Sequence, residues 1–202
     1  MESILVERTI TKLSLAIWLS DDYTDRQPIG EIKLSLGEKE AIRNRGGYYL
    51  FLDLPAGDYR LKTQAQYYFD QEVDITLPLA GDPVVNLTLK PNPSYPFSER
   101  ATLIRGMVRG TDGEPVPEAL VKITGKEIEN KTTQEGEFVL YFKNLTEQDI
   151  IKVNKKRYVK RDGNRRLLLV VTHPNYRRKM VQVEVEEGKT TSISITLIKR
   201  GG

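Results

Sequence analysis

Between Glu114 and Phe142 the chain alternates apolar and polar residues across glycine turns, a pattern that few folds accommodate. Ala119, Val121 and Ile123 alternate with Leu120, Lys122 and Thr124, which reads as a strand with one face buried. Before it, Asp112-Gly113 predicts a two-residue type I′ hairpin turn, in which both central residues need φ > 0. Pro115 and Pro117 hold the connection extended and remove two ladder donors, which suits an edge or the start of a strand. Glu135-Gly136 makes the next turn, and Phe138, Leu140 and Phe142 fall on one face of the strand that follows. Short strands with glycine turns at close intervals are the signature of a sandwich or barrel.

This arrangement resembles the carboxypeptidase regulatory-like domain, a seven-stranded prealbumin-like (transthyretin-like) β-sandwich. The matching residues are Gly106, Val108, Asp112, Gly113, Pro115, Val116, Ala119, Val121, Thr133, Gly136, Phe138 and Leu140, with Val171, Pro174 and Tyr176 resembling the late Pro-x-Tyr turn. Gln134 stands where the family usually carries Asp. The resemblance covers about half of the chain and implies a fold; the fold is a widely reused scaffold and leaves function open.

The first half carries a divergent copy of the same pattern. Leu13, Leu15, Ile17 and Leu19 alternate as a strand, and Ile32, Leu34 and Leu36 give a second that ends at Gly37. Pro55-Ala56-Gly57-Asp58-Tyr59 resembles the Pro-x-Gly-x-Tyr turn of prealbumin-like domains and leads into a strand through Leu61 and Thr63. Further strands run through Val73, Ile75 and Leu77 and through Val85, Leu87 and Leu89. Gln27–Leu34 matches Glu114–Ile123, Arg45–Leu50 matches Glu135–Leu140, and Asp82–Lys90 matches Lys189–Leu197. The expected fold is therefore all-β: two tandem prealbumin-like (Ig-like Greek-key) β-sandwiches joined by a proline-rich linker. The first spans residues 1–90, the linker 91–98 and the second 99–202. Pro91, Pro93 and Pro96 predict a semi-rigid polyproline II spacer. The second domain has no counterpart in the first over residues 144–166, where Thr146-Glu147-Gln148-Asp149 resembles a capping box able to open one helical turn. Lys152 to Arg166 then holds eight basic residues and one acid.

Charge and composition narrow the setting. Residues 1–100 carry 11 Lys/Arg and 15 Asp/Glu, and residues 101–202 carry 20 and 13, so a net charge of +3 divides into an acidic and a basic half. Such a split suits head-to-tail packing or an acidic partner for the second half. No apolar run approaches the ~20 residues of a membrane span. The start Met-Glu-Ser-Ile-Leu-Val-Glu-Arg lacks the basic start and long apolar core of a leader, so the expectation is a cytoplasmic protein at synthesis, able to leave the cell as part of a particle. With no cysteine there is no disulfide, thiolate metal site or cysteine nucleophile. Asn86, Asn130 and Asn144 each begin an Asn-x-Thr sequon by pattern alone.

No catalytic constellation is legible, and the chain is read as non-enzymatic, without metal or cofactor. His173 is the single histidine and has no nucleophile partner in the pattern; beside Pro174 it reads as structural. Hydroxyisourate hydrolases share the transthyretin fold but use several histidines and a distinctive C-terminal tetrapeptide, which this chain lacks. The acids Asp21, Asp22, Asp25, Asp53 and Asp58 do not follow EF-hand spacing. The residues expected to carry function are instead contacts for a partner: Lys155, Lys156, Arg157, Tyr158, Lys160, Arg161, Arg165 and Arg166 of the insertion, and Trp18 on the outer face of the first strand. Tyr158 is the single aromatic within that basic run, too few for a stacking nucleic-acid reader, so the expected partner is an acidic protein surface. The expected function is a structural or protein-interaction role as an accessory subunit of a larger assembly. A phage-tail-like contractile injection particle is one setting, through contacts to its cap, baseplate or sheath. The alternative is a carbohydrate-binding module at a cell surface, with Trp18, Tyr48, Tyr67, Tyr68 and Phe69 as candidate stacking residues.

Overall fold

The computed structural model describes residues 11–200, so the start read for a leader lies outside the described residues. The chain divides between Leu89 and Lys90 into two compact units. Each is built from two sheets whose inward side chains form one core.

In the first unit, one sheet runs in the order β4-β5-β1-β8 and the other β3-β2-β6-β7. The strands are β1 (Leu13–Asp21), β2 (Ile32–Leu36), β3 (Lys39–Glu40), β4 (Ile42–Arg43), β5 (Tyr49–Leu52), β6 (Gly57–Ala65), β7 (Gln71–Leu77) and β8 (Val84–Leu89). Alternation sets the core: Leu15, Ile17 and Leu19 point inward from β1, met by Phe51, Leu34, Leu36, Leu61, Ile75 and Leu89, all nearly fully buried. β1 pairs antiparallel with β5 and parallel with β8.

The second unit repeats this order. Its strands are β9 (Thr102–Gly110), β10 (Leu120–Ile123), β11 (Glu129–Lys131), β12 (Glu137–Phe142), β13 (Ile150–Val153), β14 (Lys156–Val159), β15 (Arg166–His173), β16 (Tyr176–Glu184) and β17 (Thr190–Leu197). The sheets are β12-β9-β17 and β11-β10-β15-β16, with β13-β14 as a separate hairpin. As in the first unit, the opening strand pairs in parallel with the closing one, β9 with β17. The core holds Ile104, Val108, Val121, Ile123, Phe138, Leu140, Leu169, Val171 and Ile195.

Three local expectations change. At Asp112-Gly113 only Gly113 has positive φ, so the turn is not type I′. The Asp112 carboxylate instead accepts the Glu114 N–H and binds Lys199, and Gly110 N–H donates to the Glu114 carbonyl at 2.8 Å. The repeat is also offset by one residue at the second glycine turn. Tyr49 is buried opposite Ile17, and Phe138 is buried opposite Gly106, so Gly47 (φ 89°) matches Gly136 (φ 76°) and Tyr48 matches Glu137. A slip of one residue exchanges the two faces of a strand, so Tyr48 lies on the outer face.

The third change concerns the prolines. The stretch from Pro91 to Phe97 does not stand free as a spacer but packs on the second unit as a strap. Tyr95 is buried, its ring 4.6 Å from Phe97, which in turn lies 5.6 Å from Tyr141 of β12. Arg105 Nη1 donates to the Pro93 carbonyl at 2.5 Å, and Asn130 Nδ2 donates to the Pro91 carbonyl at 3.1 Å. Val139 and Tyr141 point to the outer face of their sheet, yet both are buried. An apolar outer face is unfavourable in water, and the aromatic residues of the strap are more favourably placed against it than extended as a rod.

Candidate functional site

The basic insertion is a docked hairpin. A 3-10 turn at Glu147–Asp149 opens it: the Thr146 N–H and hydroxyl both donate to Asp149 Oδ2, at 3.2 and 2.9 Å, as the capping-box pattern predicts. β13 and β14 then pair from Ile150↔Val159 to Val153↔Lys156. On its other side β14 joins the chain that follows β16, through Val159 N–H to the Val185 carbonyl and Glu187 N–H to the Arg157 carbonyl, both 2.9 Å. Ile150 and Val159 are buried in the core of the unit. The insertion therefore contributes apolar side chains to the sandwich interior as well as charge to the surface.

Its charge is largely compensated within the same unit. Arg157 donates to Glu187 and pairs with Glu147 at 2.7 Å, and these two carboxylates raise its pKa. Lys156 pairs with Glu186 at 3.3 Å, Arg161 with Asp162 at 3.0 Å, and Arg165 and Arg166 share Glu184 at 3.0 and 3.5 Å. The Arg165 guanidinium also lies 5.5 Å from the Tyr158 ring. Glu147 is held below its ordinary pKa foremost by the hydrogen bond from Arg157, and Glu186 foremost by the one from Lys189. Lys155 and Lys160 form no ion pair among the described residues. Sequence reasoning counted the cations correctly but could not see Glu184, Glu186 and Glu187, which are brought alongside only by the fold.

Trp18 lies half-buried on the outer face of β1, and its ring packs 4.9 Å from Tyr48 at a tilt of 52°. The adjacent row crosses the whole sheet: Ile42 opposite Leu50, Leu50 opposite Ala16, and Ala16 opposite Val84. Ile42 is 61% exposed, and Leu50 and Val84 are half-buried. Tyr68, by contrast, is a core residue whose hydroxyl donates to the buried Asp21 carboxylate at 2.9 Å.

A further face was not singled out by the sequence. On the outer side of β11-β10-β15-β16, Lys122, Val170 and Met180 form one row, with Leu168 and Gln182 beside it. Met180 is 51% exposed.

The remaining candidates have structural partners. His173 Nδ1 accepts the Asn175 N–H at 3.1 Å, and its ring meets Tyr176 edge-on. Thr133 meets the turn need left at Gln134, its hydroxyl accepting the Glu137 N–H at 3.2 Å. Asn130 is buried and hydrogen-bonded, which closes that sequon in the folded chain. Among the described residues no three His, Asp or Glu side chains are grouped to hold a metal ion. Among the described residues no helix is long and apolar enough to cross a membrane.

No protein-family model and no curated protein matches the chain. Solved structures do match. The Bacillus anthracis TIE protein is 13% identical, over 93% of this chain and 34% of that one, at a TM-score of 0.33. A streptococcal ancillary pilin is 12% identical, over 97% of this chain and 64% of its own, at 0.33. The minor pilin of Streptococcus agalactiae is 13% identical, over 94% and 98%, at 0.30. The chain thus spans about a third of the TIE protein's length. Likenesses this weak carry no argument here; the fold rests on the sheet orders, and function on the surfaces.

Proposed function

We propose that the chain is a pair of carboxypeptidase regulatory-like sandwiches that acts without catalysis, as an accessory subunit docking on other proteins of a larger assembly. The observation that carries this reading is the outer face of the first unit. A row of apolar side chains crosses its sheet at Ile42, Leu50, Ala16 and Val84 beside the Trp18–Tyr48 pair. Aromatic residues with an exposed apolar margin are what protein interfaces are enriched in. Sugar stacking needs open ring faces, and Trp18 and Tyr48 already pack against each other, which favours a protein partner. Particles built from small β-sandwich subunits, a contractile injection particle among them, are one setting for such a protein. Lys155 and Lys160 at the tip and base of the β13-β14 hairpin are the cations of the insertion left to meet an acidic partner.

A photo-crosslinking residue placed at Ile42 in the full chain, in its native host, tests the reading. The expected result is one discrete crosslinked protein, lost when Trp18→Ala and Leu50→Ser are introduced together. No protein adduct, or an adduct that survives both substitutions, would sink it.

A further inference from the structure

We propose a second docking surface, on the outer face of the β10-β15-β16 sheet of the second unit, for an acidic protein partner with an apolar centre. This surface is separate from the Trp18 face and does not rest on it.

The apolar centre follows from the register. Core side chains Val121, Ile123, Leu169, Val171 and Val183 all point inward, so the alternate residues Lys122, Leu168, Val170 and Met180 share the outer face. Val170 is only 1% exposed although it points away from the core. Its neighbours across the sheet, Lys122 and Met180, are both exposed, as a lysine is when its stem lies on apolar surface and its ammonium reaches water. Met180 at 51% exposure leaves a flexible apolar side chain in water on the edge strand of this face, a residue type suited to irregular contacts.

The sign of the partner follows from which cations lack one. Many basic residues of this unit have a carboxylate partner: Lys126 with Asp149, Lys131 with Glu118, Lys199 with Asp112, and Lys156, Arg157, Arg161, Arg165 and Arg166 as described. Lys122 and Arg178 on this face are exposed and make no ion pair among the described residues, whereas Lys179, opposite Val171, lies on the other side of the sheet. Arg178, two residues before Met180 on β16, and Lys122 across the sheet are uncompensated cations on this outer face, and they repel one another unless an anionic surface meets them. Glu129, opposite Lys122 in the register, forms no ion pair with it, and Glu184 at the far end of β16 is already shared by Arg165 and Arg166.

The same features select among partners. A nucleic-acid backbone would use the cations but would gain nothing from Leu168 and Met180, and this face offers no aromatic ring for a base to stack on. A second copy bringing this same face would set cations against cations. A protein surface with carboxylates around an aliphatic centre satisfies both parts at once.

The test uses isotope-labelled full chain and, as probe, a soluble capped peptide alternating glutamate and leucine, followed by amide shifts. The shifts are expected to gather on β10, β15 and β16 around Lys122, Leu168 and Met180. Met180→Asp, and separately the pair Lys122→Glu and Arg178→Glu, are each expected to weaken binding about tenfold with the melting temperature unchanged. Trp18→Ala is expected to leave the affinity as it is, which separates this surface from the face on the first unit. Four results would overturn the proposal: shifts absent or elsewhere, polyglutamate binding as tightly as the glutamate–leucine peptide, a short DNA duplex binding more tightly than the peptide, or the same shifts arising from protein concentration alone.

Discussion

Asn130 shows how much a single side chain can hold. It is buried, and its Nδ2 donates both to the Pro91 carbonyl of the strap and to the Val139 carbonyl of β12. Asn130→Ala leaves two buried carbonyls without donors and should lower stability by about 1–3 kcal/mol in chemical denaturation. In the sequence the residue looks like nothing more than a sequon, because its partners lie 39 and 9 positions away. Gly106 is legible as a family position but not for its cause. A Cβ there would meet the Ile193 carbonyl and lie 2.8 Å from the Phe138 ring, so Gly106→Ala should destabilise the second unit by roughly 1–3 kcal/mol. The charged residues give a pH dependence with a definite sign. Glu147 and Glu186 sit below their ordinary value of 4.5 and Asp149 below 3.8, the last foremost through the Thr146 N–H. A carboxyl whose folded pKa is depressed contributes stability fully above its unfolded value and loses it as pH falls through the folded one. The ties of the hairpin should therefore hold at neutral pH and loosen below about pH 4. Hydrogen exchange at Ile150–Val159, corrected for intrinsic rates, should rise in acid before that of β9 and β12; simultaneous loss of protection in all of them would refute this.

At the level of elements, the strands were legible because alternation at period two survives in nearly every one of them. β1, β2, β6, β7 and β8 fall where apolar residues alternate. What the pattern concealed is what lies over a strand's second face. Pro91, Pro93 and Pro96 look like a spacer because proline favours extended chain wherever it occurs; that Tyr95 packs on Phe97 and Phe97 on Tyr141 depends on contacts across the fold. The consequence is measurable. A fragment beginning at residue 98 should unfold at lower denaturant than one beginning at residue 90, by on the order of 3 kcal/mol for two aromatic residues removed from their packing. Equal midpoints would mean that the strap contributes nothing. The hairpin teaches a similar lesson about charge. Reversing Arg157 to Glu would bring three carboxylates together at Glu147 and Glu187, so it should lower the melting temperature, whereas Lys155→Glu, exposed and without an ion pair, should not.

For the whole molecule, the division of charge between the halves was readable from composition, and so was the repeat of one architecture. The surfaces were not, since a docking face is assembled from strands distant in sequence, as Lys122, Val170 and Met180 are. The pairing of the first strand of each unit with its last has a mechanical consequence. β1 and β8 run parallel over Ala16–Asp21 against Val84–Leu89, and β9 and β17 over Leu103–Gly110 against Thr190–Leu197. Because paired strands point the same way, each unit takes in the chain at one end of its ladder and releases it at the other. Tension applied through the chain therefore slides the two strands lengthwise, loading every rung together instead of peeling them one after another. The longer ladder of the second unit should be the last to yield.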